Sequence, residues 1–235
     1  MRFFGPVFVS ACLLGTASLA EAHVSIVSGP AATSKTQKIT FGVGHGCELT
    51  DGTHLDTVKI RVVIPAGVSG IRALTSDFGK ATIVKAGDAV TEVIWEKSAA
   101  EPDDFQYYEL TLRARVDAVA FTTVLFSVYQ TCRAAGSTDD VVVAWIDAPG
   151  GAGSPAASLV VAPSHVPGWN KLVIPAGTTV AAASLPTYLG DALIVWRGSA
   201  AYSSNAETMK MVGTTPGVTA LAGDLQTNDE IWVKY

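Results

Sequence analysis

Thr57-Val58-Lys59-Ile60-Arg61-Val62-Val63-Ile64, closed by Pro65-Ala66-Gly67, is the stretch that decides the fold class. Val58, Ile60, Val62 and Ile64 recur at every second residue, with Lys59 and Arg61 between them. A period of two sends alternate side chains to opposite faces of an extended chain, so this is a strand with one face in a core. Proline then removes a ladder donor and glycine allows the chain to turn.

The same alternation continues on both sides. Residues 38–43 read as a strand, and 81–85 with 90–96 read as a hairpin around Ala86-Gly87-Asp88. Residues 106–116 set Tyr108, Leu110, Leu112 and Ala114 against Glu109, Thr111, Arg113 and Arg115. Residues 121–130 are mostly apolar and read as one central strand, and 141–146 and 158–161 follow. Many short strands separated by turn signals predict a mainly β chain built as an antiparallel β-sandwich of the immunoglobulin or cupredoxin-like type.

Residues 148–155, Ala-Pro-Gly-Gly-Ala-Gly-Ser-Pro, are a linker by composition. Beyond Pro167-Gly168-Trp169 the texture changes. Strands are expected at 172–174, 192–196 and 231–234, and a helix at 205–211 with Ser204 or Asn205 as its N-cap. Together these predict a small C-terminal α+β module with its own core. The expected division is a signal peptide at 1–22, the sandwich at 23–163 and the module at 164–235.

Sixteen Lys and Arg against twenty-one Asp and Glu give a net charge of −5. The charges are scattered and no basic stripe exists to hold phosphates, which excludes nucleic acid as a partner. Arg2 precedes an apolar run from Phe3 to Leu19, and Ala20-Glu21-Ala22 places small residues where a signal peptidase reads. This layout predicts secretion with cleavage before His23. Cys12 is read as part of the discarded signal rather than a lipid attachment point, because the apolar run continues past it. No later stretch is long enough to span a bilayer. The expected location is extracytoplasmic, secreted into the periplasm.

Removing the signal leaves Cys47 and Cys132. In an oxidising compartment two cysteines pair, and a bridge here closes a loop of about eighty-five residues, worth roughly 3–5 kcal/mol in the loop-entropy model. The alternative is a pair of thiolate ligands for a soft metal.

Cleavage before His23 also frees an α-amine on a residue that carries an imidazole. The two nitrogens can close one chelate ring on a metal ion, and Cu(II) binds such nitrogen sites most tightly among the first-row divalent ions. Both must be unprotonated to bind, so affinity should fall with pH. A terminal histidine alone is weak evidence, and the rest of the chain strengthens it.

The strings Ala22-His23-Val24-Ser25, His45-Gly46-Cys47, Thr57 to Pro65, Tyr108-Glu109-Leu110 and Tyr129-Gln130-Thr131-Cys132, followed by Trp145, resemble the secreted bacterial YcnI-like copper-binding proteins with a DUF1775 domain. The resemblance covers residues 23 to 161. It implies copper held by a brace from a single terminal histidine, joined by a strand glutamate, with a tryptophan beside the metal. Carried onto this chain, these are His23, Glu109 and Trp145. Read from the residues alone, Glu109 is equally a solvated strand glutamate, and Trp145 a core residue. His45 would make a fuller brace as an additional ligand, and otherwise buttresses a glycine-rich turn beside the cysteine pair. His54 falls in a polar loop, His165 in the connection to the module, and Met209 and Met211 are packing residues or soft Cu(I) ligands. Strings from Gly190 to Asn205 and from Asp229 to Tyr235 are similar to those of extended members carrying an additional module.

The function expected on this basis is not enzymatic: a copper-binding protein that buffers or delivers the ion, with copper transport or acceptor proteins as partners. Two other readings stand beside it. One is a copper-dependent oxidative enzyme acting on a polymer, which needs a second brace histidine and a flat aromatic-rich face. The other is a metal-free interaction domain.

Overall fold

The computed structural model describes residues 23–102, 106–151 and 153–235. The expected signal peptide lies outside the described residues. Most expected strands are present within a few residues of their expected limits. The deciding stretch lies in the strand His54–Val63. Its inner face, Val58, Ile60 and Val62, is fully buried. Its outer face pairs Lys59 with Glu96 at 2.9 Å and Arg61 with Glu92 at 2.9 Å.

One sheet runs Val24–Ile26, Lys35–Val43, Tyr108–Val116, Val68–Ala73. The facing sheet runs Asp140–Trp145, Val128–Arg133, His54–Val63, Ala89–Glu96, Thr82–Ala86, with Cys47–Glu48 added beside the start of His54–Val63. A third, three-stranded sheet pairs Thr122–Phe126 with Ala157–Ala162, and the latter with Ala31–Ala32 in parallel. Between the sheets lies one apolar core containing Phe41, Ile60, Trp95, Leu110, Leu112, Phe126 and Leu159. The fold class is therefore mainly β with antiparallel sheets.

Three details differ from the sequence expectation. Residues 121–130 are not one strand. Thr122–Phe126 pairs with Ala157–Ala162, whereas Val128–Arg133 pairs with His54–Val63 and Asp140–Trp145. The inward side chains Val124, Phe126, Val128 and Gln130 alternate without interruption across Ser127. Alternation therefore hides the corner, because the chain changes hydrogen-bonding partners without changing its buried face. The segment read as a linker is fastened within the sandwich at its two ends: Ile146 and Asp147 N–H both donate to the Ser154 carbonyl, each at 3.0 Å. Val68–Ala73 is a strand that the sequence reading passed over.

The C-terminal sheet runs Trp169–Val173, Glu230–Lys234, Ile194–Arg197, Ala200–Tyr202, Thr219–Ala220. The expected helix is Ala206–Thr214, and Asn205 caps it by accepting from Glu207 and Thr208 N–H. The module's core contains Ile174, Val180, Leu185, Val195, Leu225, Ile231 and Val233. It also contains Phe121, which belongs to the sandwich. Phe121 adopts φ +61, a strained value for a bulky residue. Its ring meets Tyr188 edge-on at 5.7 Å. The module thus has a core separate from that of the sandwich, to which the sandwich contributes Phe121.

Candidate metal centre at the start of the first strand

His23 is exposed and immediately precedes the edge strand Val24–Ile26. Val24 pairs with Val43, which brings His23 alongside the Gly44-His45-Gly46 turn. Trp145 ends an edge strand of the facing sheet, so the two edges meet at this mouth of the sandwich. The His23 and Trp145 rings lie 5.4 Å apart between centroids, tilted by 44°.

Trp145 is only 5% exposed, and a buried indole N–H needs an acceptor. Gln130 supplies it, its Oε1 accepting from Trp145 Nε1 at 3.1 Å. The same amide donates from Nε2 to the His45 carbonyl and to Thr57 Oγ1, both at 2.8 Å. One buried glutamine therefore fixes the indole, the central strand and the histidine turn together. His45 Nδ1 lies 2.7 Å from the Gly46 carbonyl. A carbonyl only accepts, so Nδ1 is the donor here, which in the neutral ring leaves the lone pair on Nε2, the arrangement in which imidazole serves as a ligand.

Cys47 and Cys132 form a disulfide, with Cα atoms 5.8 Å apart. Cys132 lies on Val128–Arg133 and Cys47 directly follows Gly46, so the bridge anchors the histidine turn to the sheet.

Glu109 stands elsewhere. It lies on the exposed face of Tyr108–Val116, paired with Gly42, which in turn pairs with Ser25. The Tyr107 hydroxyl lies over Gly42, where a larger residue's Cβ would collide with it. Gly42 carries no side chain, so nothing from its strand separates Glu109 from the strand that follows His23. Among the described residues, no three His, Cys, Asp or Glu side chains form a group that could hold a metal ion.

The other histidines and Met209 have structural partners, and Met211 does not pack. His54 is exposed at the start of its strand and pairs with Glu48. His165 stacks on Tyr235 at 3.6 Å and 5°, and its Nε2 lies 3.2 Å from an Asp191 carboxylate oxygen. Met209 accepts the Ser203 N–H on its sulfur at 3.2 Å, while Met211 is 67% exposed. Gln130 and Tyr107 were missed by sequence reasoning. Gln130 carried a signal, as a lone amide among inward apolar positions; Tyr107 carried none.

A family model described as a domain of unknown function (DUF1775) matches residues 23–163. The chain belongs to the DUF1775 family. The matched region begins at His23 and contains both cysteines, Gln130 and Trp145, while residues 164–235 extend beyond it. Among solved structures, the chain is similar to an uncharacterized protein from Nocardia farcinica, reported to have an immunoglobulin-like fold. The two are 23% identical with a TM-score of 0.46, and the match covers 60% of this chain and 98% of that one. No curated protein matches. No helix among the described residues is long and apolar enough to cross a membrane.

Proposed function

We propose that this DUF1775 chain is an exported copper-binding protein that takes Cu(II) at His23 and buffers or hands on the ion, rather than catalysing a reaction. The observation that carries the reading is the exposed His23 ring beside a buried indole that Gln130 holds in place. Removal of residues 1–22 would add the α-amine to the imidazole, a two-nitrogen donor set suited to Cu(II). Trp145 would present its electron-rich face to the bound cation. Glu109, on the strand beyond Gly42, is the carboxylate proposed to join the set, and His45 Nε2 is proposed as the further nitrogen. A site so open on its solvent side suits uptake and release. Copper transport or acceptor proteins are the partners this implies, and the periplasm is the proposed location.

The test combines two measurements. Intact mass of the exported protein should correspond to residues 23–235. Cu(II) titration followed by electron paramagnetic resonance should show nitrogen coupling from two donors of one residue. His23→Ala should weaken binding by at least tenfold and remove imidazole coupling, and Glu109→Gln should weaken it less. A chain starting elsewhere, or equal affinity in His23→Ala, overturns the proposal.

A further inference from the structure

The outer face of the C-terminal sheet carries three tryptophans that the fold does not need. Ile231 and Val233 point inward to the module core from Glu230–Lys234, and Val195 does so from Ile194–Arg197. Trp232, between Ile231 and Val233, therefore points outward and is 49% exposed. Trp196 sits directly opposite Trp232 on the neighbouring strand. On the other side Trp232 pairs with Lys171 and Trp169 pairs with Lys234, so Trp169 is the diagonal neighbour of Trp232 on the same face. Trp169 is 51% exposed. Such pairing spaces the backbones by about 5 Å and about 8 Å, so the indoles form a continuous row across three strands. These three residues alone line a shallow depression of about 480 Å³.

Two half-exposed indoles, Trp169 and Trp232, beside a partly buried third, Trp196, are costly on a water-facing sheet unless something covers them. Half of two tryptophans and a smaller part of the third come to less than roughly 300 Å², and doubling it for both partners stays well below the roughly 1,000 Å² that a stable protein interface needs. A second copy of this chain is therefore a poor occupant. The rim offers little net field for a polyanion: Lys171 pairs with Glu230 at 2.7 Å, and Lys234 lies 5.8 Å from the Trp169 ring centre. A small, uncharged, flat ligand remains. A β-linked pyranose chain fits this chemistry. Its equatorial hydroxyls leave axial C–H bonds on each ring face, which meet the negative face of an indole, while the hydroxyls reach the rim charges.

We propose that the C-terminal module binds neutral β-linked polysaccharide on the Trp169–Trp232–Trp196 row. This site is separate from His23 and does not depend on copper.

The whole chain is mixed with microcrystalline cellulose and with α-chitin, and the unbound fraction is measured. Cellohexaose and chitohexaose are titrated in parallel, following indole fluorescence. Retention on at least one polymer is expected, with a blue shift from the matching hexasaccharide. Trp232→Ala should cut retention tenfold or more with an unchanged melting temperature, since the side chain is half in water. Trp232→Phe, which keeps a smaller ring, should keep part of it. His23→Ala should bind the polymer like the parent, which separates this site from the copper reading. Failure to bind either polymer, or equal retention of Trp232→Ala and parent, overturns the proposal. So does loss of the exposed indoles to phosphatidylcholine vesicles or to a concentration-dependent dimer in their place.

Discussion

Gln130 is the residue on which the candidate site depends most. It is 1% exposed and meets three polar groups from three different segments. Replacing it with alanine leaves the Trp145 N–H, the His45 carbonyl and the Thr57 hydroxyl without that partner in a buried setting. Each such loss costs about 1–3 kcal/mol, less whatever water recovers. Gln130→Ala is expected to lose about 2–4 kcal/mol in a urea unfolding curve. Gln130→Glu keeps the acceptor but loses the two donor bonds, so it should lose a comparable amount at neutral pH. Unchanged midpoints in both variants would mean that the amide chain contributes nothing. Trp145 illustrates what local reading can reach: its burial follows from composition, but its contact with His23 rests on a histidine from another sheet.

At the scale of elements, Asp56, Lys97 and Tyr108 join the facing sheets. Asp56 lies on His54–Val63, Lys97 follows Ala89–Glu96, and Tyr108 opens Tyr108–Val116. Lys97 Nζ reaches Asp56 at 2.6 Å and donates to the Tyr108 hydroxyl at 2.8 Å, and that hydroxyl donates to Asp56 at 3.2 Å. The Glu101 N–H completes the carboxylate at 2.6 Å. Asp56→Ala strands a largely buried ammonium and should cost about 3–5 kcal/mol. Burial works against the Lys97 charge, yet hydrogen bonds to Asp56 and Tyr108 and the Asp56 charge hold its pKa above the ordinary value. Burial, reinforced by the Asp56 charge, raises the Tyr108 pKa despite Lys97. In the module, burial and the Asp191 charge push Tyr235 up to about 12. For all three groups the unfolded chain releases its proton first as pH rises. Their contribution is therefore complete below about pH 10 and lost as pH climbs through the higher folded values. Melting temperature should fall steeply above pH 10. The fall should be shallower in Lys97→Met, which has no ammonium to titrate.

At the scale of the whole molecule, Phe121 joins the sandwich to the module. This sandwich residue is 4% exposed and sits in the core of the module, with the Thr122–Phe126 strand directly behind it. The His165 stack on Tyr235 and the paired Gly168 and Tyr235 backbone bonds, at 3.0 Å each, fasten the connector to the module's last strand. Phe121→Ala should cost about 3–5 kcal/mol, concentrated in the module. Calorimetry should then resolve two transitions, with the module melting first; a single shifted transition would show that the two halves do not depend on this ring. Burial of the phenyl ring, worth about 1.5–3 kcal/mol, offsets the backbone cost of about 1–3 kcal/mol that the positive φ at Phe121 carries.

By itself the sequence determined most of the strands, a helix capped at Ser204 or Asn205 and the class of fold, because alternation and turn chemistry act over a few neighbouring residues. Two cysteines left after the expected cleavage named the only pair that could bridge within the remaining chain. Tertiary structure decided where the chain turns the corner at Ser127, which face Glu109 occupies, that Gln130 joins Trp145 to His45, and that Phe121 leaves its own sheet. It alone assembled Trp169, Trp196 and Trp232 into one row. Each of these depends on which distant strands pair and in what register, and the free energy of that pairing comes from burying one shared core, which no short window of sequence contains.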